Sequence, residues 1–273
     1  MPDAVIIGAG HNSLACACHL AERGWRVEIF EQSSEPGGAV KTGEYTVPGF
    51  RHDWAAMNLS LFAGSSFHLE NADELAKKGL EFVPTEHPFA SAFPDGRWLG
   101  VSMDHALTTA RIRGFSNADA VAWKALTNGF DVDSQGILST LGTSMNLYAI
   151  TSLIWKLRKQ VGIGGVLDLI RFIMMSPRDW LDSQFESPQV KAMLAAWGMH
   201  LDFAPDVAGG AVFPYLEAMA GQAFGMVLGK GGARSMIDAM VSILEARGGI
   251  IHCDASVTGI RMQGGRAIGI ELK

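Results

Sequence analysis

The chain has 273 residues, of which 48% are hydrophobic and 18% are charged, and its formal net charge is −6. This length supports a sizeable core, and the acidic balance argues against a nucleic-acid surface, which needs clustered lysine and arginine. The eight histidines show no metal-ligand spacing, so we predict no metal site.

The cysteines and the first residues indicate a compartment. Cys16, Cys18 and Cys253 form no Cys-x-x-Cys pair, which favours packing thiols in a reducing compartment. No basic segment followed by an apolar helix precedes the first predicted strand, so we expect no signal peptide. The sequence therefore predicts a cytoplasmic protein.

The chain begins with the pattern of a dinucleotide-binding βαβ unit. An apolar strand from Ala4 to Ile7 leads into Gly8-Ala9-Gly10, a small-residue helix begins near Asn12, and a second strand covers Arg26 to Phe30. Gly8 permits a tight turn out of the strand, and Gly10 lets a pyrophosphate approach the backbone. The free N–H groups of the helix would then point at that phosphate.

Two further positions decide how specific this pattern is. Ser13 occupies the place of the third fingerprint glycine, and serine is small enough for helix-on-strand packing, although less favourable than glycine. Glu31 lies about 20 residues beyond the glycines, where a carboxylate accepts hydrogen bonds from ribose hydroxyls and repels a 2′-phosphate. FAD or NAD is therefore favoured over NADP. An ordinary strand-turn-helix is the alternative interpretation.

A glycine doublet follows the second strand, in Ser34-Glu35-Pro36-Gly37-Gly38-Ala39-Val40-Lys41-Thr42. Paired glycines carry no side chains that could obstruct a bound cofactor. A doublet just beyond the ribose-binding acid favours a flavoprotein, and hence FAD over NAD. A plain Pro-Gly turn is the alternative, although it does not explain the position of the glycines.

The middle of the chain predicts an insertion between two parts of the cofactor domain. Strands are predicted at 81–83, 89–93 and 97–99, in a substrate-side sheet with a turn at Pro94-Asp95-Gly96. Helices are predicted at 119–128, 135–160, 165–175 and 187–200, then a glycine-rich loop through Gly209-Gly210 and Gly221, a helix at 233–247, and strands at 250–251 and 267–268. We predict a discontinuous FAD-binding domain, 1–75 and 225–273, and a mainly helical substrate or cap region, 76–224.

With these segments in place, the chain resembles the phytoene dehydrogenase-related FAD-dependent oxidoreductases, over their N-terminal half. This family includes carotenoid desaturases, retinol saturases and the pyridine nucleotide-disulphide oxidoreductase domain-containing protein 2 type. The likeness rests on the glycine loop, Glu31, the doublet and three further segments: Pro48-Gly49-Phe50-Arg51-His52-Asp53, Gly229-Lys230-Gly231-Gly232, and Gly248-Gly249-Ile250-Ile251 through Ala255-Ser256-Val257.

The resemblance implies an α/β fold, with a Rossmann-like FAD-binding domain of the glycine-doublet type interrupted by a largely helical cap. It also implies a set of cofactor-binding residues: Gly8, Gly10, His11, Asn12, Ser13, Glu31, Gln32, Gly37, Gly38, Ala39, Lys41 and Val257. Val257 would contact the adenine side through its backbone. Lys41 stands where the family usually has arginine, and lysine lacks the planar fork that orients a contact with phosphate or a flavin carbonyl.

The predicted cap is rich in large apolar residues at helical spacing. Such residues usually form a core, although a lipophilic substrate would need the same kind of lining. The segment Trp155-Lys156-Leu157-Arg158-Lys159 is basic and amphipathic, which is consistent with peripheral contact with a membrane surface. Asp168 and Arg171 interrupt the next apolar run, so we predict no transmembrane segment.

No catalytic acid, base or nucleophile is recognisable in the sequence. His52 and His200 are the two histidines to examine near a flavin, although buried histidines usually serve only as hydrogen-bond partners. A poor set of catalytic side chains is compatible with flavin chemistry, since the isoalloxazine ring carries the hydride and the protein orients the substrate. The catalytic residues stay unassigned.

The leading hypothesis is an FAD-dependent oxidoreductase that desaturates, saturates or isomerises carbon–carbon bonds of a lipophilic substrate. One alternative is an amine-oxidase-type flavoprotein, and another is a non-catalytic FAD-holding subunit. The chain stops after a predicted strand at 267–268, where the family continues, so we expect a second polypeptide to supply the C-terminal half. A cleaved or truncated product is the alternative.

Overall fold

The computed structural model describes all 273 residues and divides into two compact units. We call residues 1–85 and 226–273 the sheet unit, and residues 86–225 the helical unit. The helical unit is thus an insertion between two parts of the sheet unit. Each unit has its own hydrophobic core.

The sheet unit combines most of the strands with four helices, and the helical unit contains the two longest helices. The strands are β1 (Ala4–Ile7), β2 (Val27–Phe30), β3 (Thr42–Gly43), β4 (His52–Asp53), β5 (Phe82–Thr85), β6 (Ala90–Ala92), β7 (Trp98–Gly100), β8 (Met226–Gly229), β9 (Ile250–His252), β10 (Val257–Gln263) and β11 (Arg266–Leu272). The helices are α1 (His11–Glu22), α2 (Ser60–Ala63), α3 (Ser66–Lys77), α4 (His105–Arg113), α5 (Asn117–Leu141), α6 (Leu147–Met174), α7 (Pro177–Gln184), α8 (Pro188–His200), α9 (Val212–Phe224) and α10 (Arg234–Ala246).

The sheet unit is built on a three-stranded parallel sheet in the order β1-β2-β9. Ala4 pairs with Val27 and Glu28 pairs with Ile250, so the predicted βαβ unit is confirmed. Helix α1 buries Leu14, Ala17 and Cys18, and packs against α10. The carboxyl ends of β1 and β2, where the predicted site residues follow, lie side by side.

The prediction of a single substrate-side sheet is wrong. Strand β5 pairs antiparallel with β8 inside the sheet unit, and Phe82 faces Gly229 across that pair. The hairpin β6–β7 belongs to the helical unit. The sequence missed β8, because a four-residue strand gives little periodicity from which to choose its partner. Strands β10 and β11 form a separate antiparallel hairpin.

The helical unit corrects two more predictions. The helix predicted at 135–160 is divided, because α5 ends before Gly142 and the Asn146 side chain accepts a hydrogen bond from the Ala149 N–H to begin α6. The glycine-rich loop predicted through Gly209-Gly210 and Gly221 is a turn at Gly209-Gly210, but Gly221 lies in helix α9. A Cβ at Gly221 would lie 3.1 Å from the Phe89 ring, so this glycine permits close packing inside a helix.

The three cysteines differ in their surroundings, and all are free. Cys18 is buried in α1 and its thiol donates to the Met240 carbonyl oxygen; burial raises its pKa to about 11. Cys16 is exposed, so the prediction of packing thiols is wrong for this residue, because it lies on the outer face of α1. None of the helices combines the length and apolar character needed to cross a bilayer.

Candidate dinucleotide site

The glycine loop between β1 and α1 leaves polar backbone groups free. Gly8 has a φ of 88°, which supports its predicted role in the turn. Helix α1 has no side-chain cap, and the N–H groups of His11, Asn12 and Ser13 have no partner in the protein. A Cβ placed on Gly10 would meet no atom within 4 Å. The loop therefore offers free donors beside open space, as an anion-binding helix N-terminus requires.

Glu31 joins the glycine loop to the end of β2. It is only 7% exposed, and its carboxylate accepts hydrogen bonds from the N–H groups of Ala9 (2.7 Å) and Ser33 (2.8 Å). Burial alone would raise the pKa of Glu31, but these N–H groups and the charge of Lys41 outweigh it and leave the pKa lowered. A carboxylate offers about four lone-pair sites, so Glu31 keeps acceptors for ribose hydroxyls.

The glycine doublet packs directly on the glycine loop. The Gly37 N–H donates to the Ala9 carbonyl oxygen at 2.8 Å, and Gly37 forms a parallel bridge with Gly10. A Cβ on Gly37 would lie 2.7 Å from the Val40 carbonyl oxygen. The doublet is thus required by the turn itself, in addition to the predicted need for an unobstructed surface.

The segment after β9 reaches the same place from the other end of the chain. The Glu31 N–H donates to the His252 carbonyl oxygen, and the Glu31 carbonyl oxygen accepts from the Ala255 N–H, both at 2.8 Å. Val257 follows two residues later, at the start of β10. Gln32 and Ala39 are both exposed.

A polar cluster that no sequence pattern predicted holds the start of α10 beside the doublet turn. We call Glu35, Lys41, Thr42, Asp53 and Arg234 the α10 cluster. Asp53 Oδ1 accepts from the Ala233 N–H at 2.9 Å, and Thr42 Oγ1 accepts from the Arg234 N–H at 3.0 Å. Glu35 pairs with Arg234 (2.5 Å) and with Lys41 (3.6 Å).

Within the α10 cluster, Lys41, the predicted replacement for arginine, is contacted through its 3.6 Å ion pair with Glu35. The hydrogen bond from Arg234, together with the charges of Arg234 and Lys41, lowers the pKa of Glu35, so its carboxylate stays ionised between two cations. No local sequence pattern indicates this cluster, because Asp53 and Ala233 are 180 residues apart. Only the resemblance drew attention to the segment that ends at Asp53 and to the one that ends at Gly232, just before Ala233.

The structure places the two singled-out histidines in different units. His52 lies in β4, where its Nε2 is 2.8 Å from Thr46 Oγ1. His200 is the last residue of α8 in the helical unit, exposed, with its ring 6.0 Å from the Trp197 ring. Neither supports a catalytic assignment.

The helical unit contains a cavity of about 480 Å³ between its helices. Its lining is mainly apolar and includes Ile137, Leu157, Leu169, Phe172, Trp180 and Tyr215. The buried Tyr215 hydroxyl donates to Asp133 Oδ2 at 2.8 Å. Burial, and then the hydrogen bond to Asp133, raise the pKa of Tyr215, so it stays a protonated donor. A cavity of this size and lining suits a small apolar ligand.

Comparison with known proteins agrees with this geometry. Residues 6–71 match the family described as NAD(P)-binding Rossmann-like domain. The mouse pyridine nucleotide-disulfide oxidoreductase domain-containing protein 2 is 28% identical, over 99% of this chain and 50% of the relative. The all-trans-zeta-carotene desaturase of Myxococcus xanthus is 24% identical, over 98% of this chain and 49% of the relative.

Among solved structures, putrescine oxidase bound to putrescine matches with a TM-score of 0.57 at 15% identity, covering 96% of this chain and 53% of that one. The predicted fold class, a Rossmann-like domain with a largely helical insertion, is confirmed. The homologues include named oxidoreductases and carotenoid desaturases, as the resemblance predicted. The chain spans about half the length of the curated relatives that it matches.

Proposed function

We propose that this chain is the dinucleotide-binding part of an FAD-dependent oxidoreductase that acts on carbon–carbon unsaturation in a lipophilic substrate. One observation carries the proposal. Ala9, in the loop that leads into the free N–H groups of α1, donates a hydrogen bond to the buried carboxylate of Glu31 and accepts one from Gly37 of the doublet turn. This arrangement provides phosphate donors and ribose acceptors in one place.

The residues present fit FAD on the adenosine diphosphate side. The N–H groups of His11, Asn12 and Ser13 would hold the pyrophosphate, with Gly10 leaving its approach open. Glu31 would accept from the ribose, and the backbone of Val257 would lie near the adenine. Lys41, held by Glu35, supplies the nearby positive charge. When bound, the flavin supplies hydride transfer, while the protein orients and shields the reactants.

Two observations support a lipophilic substrate. The cavity of the helical unit is lined mainly by apolar side chains, and the curated relatives include carotenoid desaturases. In our proposal the sheet unit carries the cofactor and the helical unit supplies the substrate-facing surface, which corresponds to the predicted cofactor and cap domains. The Tyr215–Asp133 pair would give the cavity its polar end.

An amine-oxidase-type activity is the second candidate. The cavity lining also includes two carboxylates, Asp133 and Asp168, which could attract a cationic amine. However, Asp168 already pairs with Arg171 and Asp133 already accepts from Tyr215, which favours an uncharged ligand. Release of hydrogen peroxide with aliphatic amines, and no turnover of polyenes, would instead favour the amine-oxidase interpretation.

The absorption spectrum of the purified protein tests the cofactor. We expect a yellow protein that releases noncovalent FAD on denaturation, followed by bleaching during anaerobic titration with a reductant. Failure to take up FAD, with NAD bound instead, would overturn the cofactor assignment. FAD uptake without turnover of any polyene, when the complex from the native source is assayed as well as the chain alone, would leave the non-catalytic FAD-holding subunit as the better description.

A second polypeptide that completes the active site is part of the same proposal. The relatives are about twice as long as this chain, so residues outside it are expected to contribute to turnover. Mass analysis of the FAD-loaded complex from the native source tests this point. A single polypeptide of 29.3 kDa that turns over substrate alone would overturn it.

A further inference from the structure

Helix α6 exposes apolar side chains along much of its length. Ile163, Leu167, Ile170 and Met174 recur at spacings of four, three and four residues, so they share one face, and each is 48–63% exposed. In the first part of the helix, Tyr148 and Trp155 lie seven residues apart and are 84% and 60% exposed. Leu157 and Val166 are the buried residues that anchor α6 to its own unit.

Positive charge accompanies these apolar side chains. Between Ser134 and Leu167 the chain has no Asp or Glu, and its only charged residues are Lys156, Arg158 and Lys159, although the whole chain has a net charge of −6. Arg158 and Lys159 are three and four residues after Trp155, and so lie on the same helical face. The Lys159 ammonium lies 3.5 Å from the centre of the Trp155 ring.

The neighbouring charges do not offset this basic character. Asp168, the next acidic residue, forms an ion pair with Arg171 at 3.2 Å. On the adjacent helix α5, Asp133 lines the cavity, where it accepts a hydrogen bond from the hydroxyl of Tyr215, and Asp131 is the other exposed carboxylate near the three basic residues in the sequence. The helix is also interrupted at Gly162, where φ is 74° and ψ is 178°, so its two halves follow different directions. Such a break permits each half to expose its own apolar face.

We infer that the exposed apolar faces of the two halves of α6 dock on an anionic lipid bilayer. Apolar side chains would enter the boundary between headgroups and acyl chains, and Trp155 and Tyr148 suit that depth because their rings are amphipathic. Lys156, Arg158 and Lys159 would contact anionic headgroups.

Charge also argues against a second copy of the chain as the occupant. A two-fold symmetric contact uses the same surface on both copies, and the stretch from Ser134 to Leu167 has no carboxylate that could pair with the three basic residues of the other copy. An anionic bilayer is complementary to the same surface. The inference is independent of the cofactor, because all of these residues belong to the helical unit.

Flotation with vesicles tests this inference on the chain as purified. We expect the protein to float with vesicles of phosphatidylcholine and phosphatidylglycerol, and much less with phosphatidylcholine alone. Added salt should weaken the binding, because screening reduces the attraction of exposed charges. Replacing Lys156, Arg158 and Lys159 with glutamine should lower partitioning by about fivefold for each charge removed. The double variant Leu167→Ser/Ile170→Ser should lower binding to both kinds of vesicle.

Matched variants in the sheet unit serve as controls. Lys77→Gln/Lys78→Gln removes exposed basic residues, and Leu61→Ser/Leu69→Ser removes exposed apolar residues, and neither pair should change flotation. Circular dichroism should show the same helix content for every variant. Absence of flotation, or equal flotation of all variants, would refute the inference. A dimer that the Leu167→Ser/Ile170→Ser variant dissociates, without vesicle binding, would assign the surface to a second copy.

Discussion

Two helices of the sheet unit begin after glycine-rich segments, and they differ in what satisfies their first N–H groups. Helix α10 follows Gly231-Gly232, and its start is closed by Asp53 and Thr42, which accept from the N–H groups of Ala233 and Arg234. Helix α1 follows Gly8-Ala9-Gly10, and its first three N–H groups have no partner in the protein.

This difference separates a structural glycine segment from a ligand-binding one. Six other helices have a side-chain N-cap from the residue that precedes them. An uncapped start such as that of α1 leaves donors that an external anion could satisfy. At α10 the protein supplies its own carboxylate, which occupies the same kind of position that a phosphate would take. The glycines alone do not distinguish the two cases.

The substitution Gly10→Val tests the open helix start, and we expect the largest effect at this position. Gly10 has an extended backbone with φ of −71° and ψ of 166°, and a Cβ there meets no protein atom within 4 Å. Valine should therefore fold normally but fill the space of the pyrophosphate, and weaken FAD binding by about a hundredfold or more. Flavin content and thermal unfolding should be measured together. Normal flavin content in this variant would contradict the assignment of this loop as the pyrophosphate-binding site.

The substitution Gly232→Ala tests the closed helix start. A Cβ there would lie 2.3 Å from Thr42 Cγ2, and φ is 111°, so the variant should lose about 2–4 kcal/mol of unfolding free energy through overpacking and strain. Gly231→Ala is the matched control, since φ is 78° but no atom lies within 4 Å. Chemical denaturation should show a smaller loss for the control. Equal losses of unfolding free energy in the two variants would mean that the Thr42 side chain moves away from the new methyl group at little cost.

Features whose signals lie close together in the sequence, or at a fixed spacing, were predicted, and features that depend on contacts between distant residues were missed. Strand β1 and helix α1 were predicted because their signals lie within a few residues of one another, and Glu31 was predicted because it lies at a fixed spacing of about 20 residues from the glycines. Helix α9 was missed because Gly221 was interpreted as a loop residue. A glycine is present at this position because the ring of Phe89, far away in the sequence, packs against it. Asp53 was missed as a cap for the same reason, because a carboxylate that caps a distant helix has no local pattern.

Glu31 lies at the open start, and Glu31→Ala should weaken FAD binding by about 1–3 kcal/mol, because the ribose hydroxyls lose their acceptor and the N–H groups of Ala9 and Ser33 no longer hold the loop in place. Calorimetric titration with FAD measures this change. Glu31→Gln is the control that keeps an acceptor but removes the charge, and it should lose less. An unchanged affinity in both variants would exclude Glu31 from the ribose site.

The same carboxylate predicts a dependence on pH. The pKa of Glu31 is lowered in the folded protein, so its ionisation stabilises the fold above the ordinary value of about 4.3. That contribution is lost as the pH falls through the lowered pKa. The unfolding free energy of the wild type should therefore fall more steeply below about pH 4 than that of Glu31→Gln. Parallel pH profiles would contradict the lowered pKa.

The smallest effect is expected for Asp53→Ala, which opens the start of α10. Its carboxylate caps the Ala233 N–H and also accepts from the Thr42 hydroxyl, so its loss should cost about 1 kcal/mol, as for other helix caps. Asp53→Asn keeps an acceptor oxygen at the same position and should retain most of that stability. FAD affinity should stay close to that of the wild type in both variants, because Asp53 caps α10 and not α1. A large loss of FAD affinity at unchanged stability would show that the two helix starts belong to one binding site, and the contrast between them would then fail.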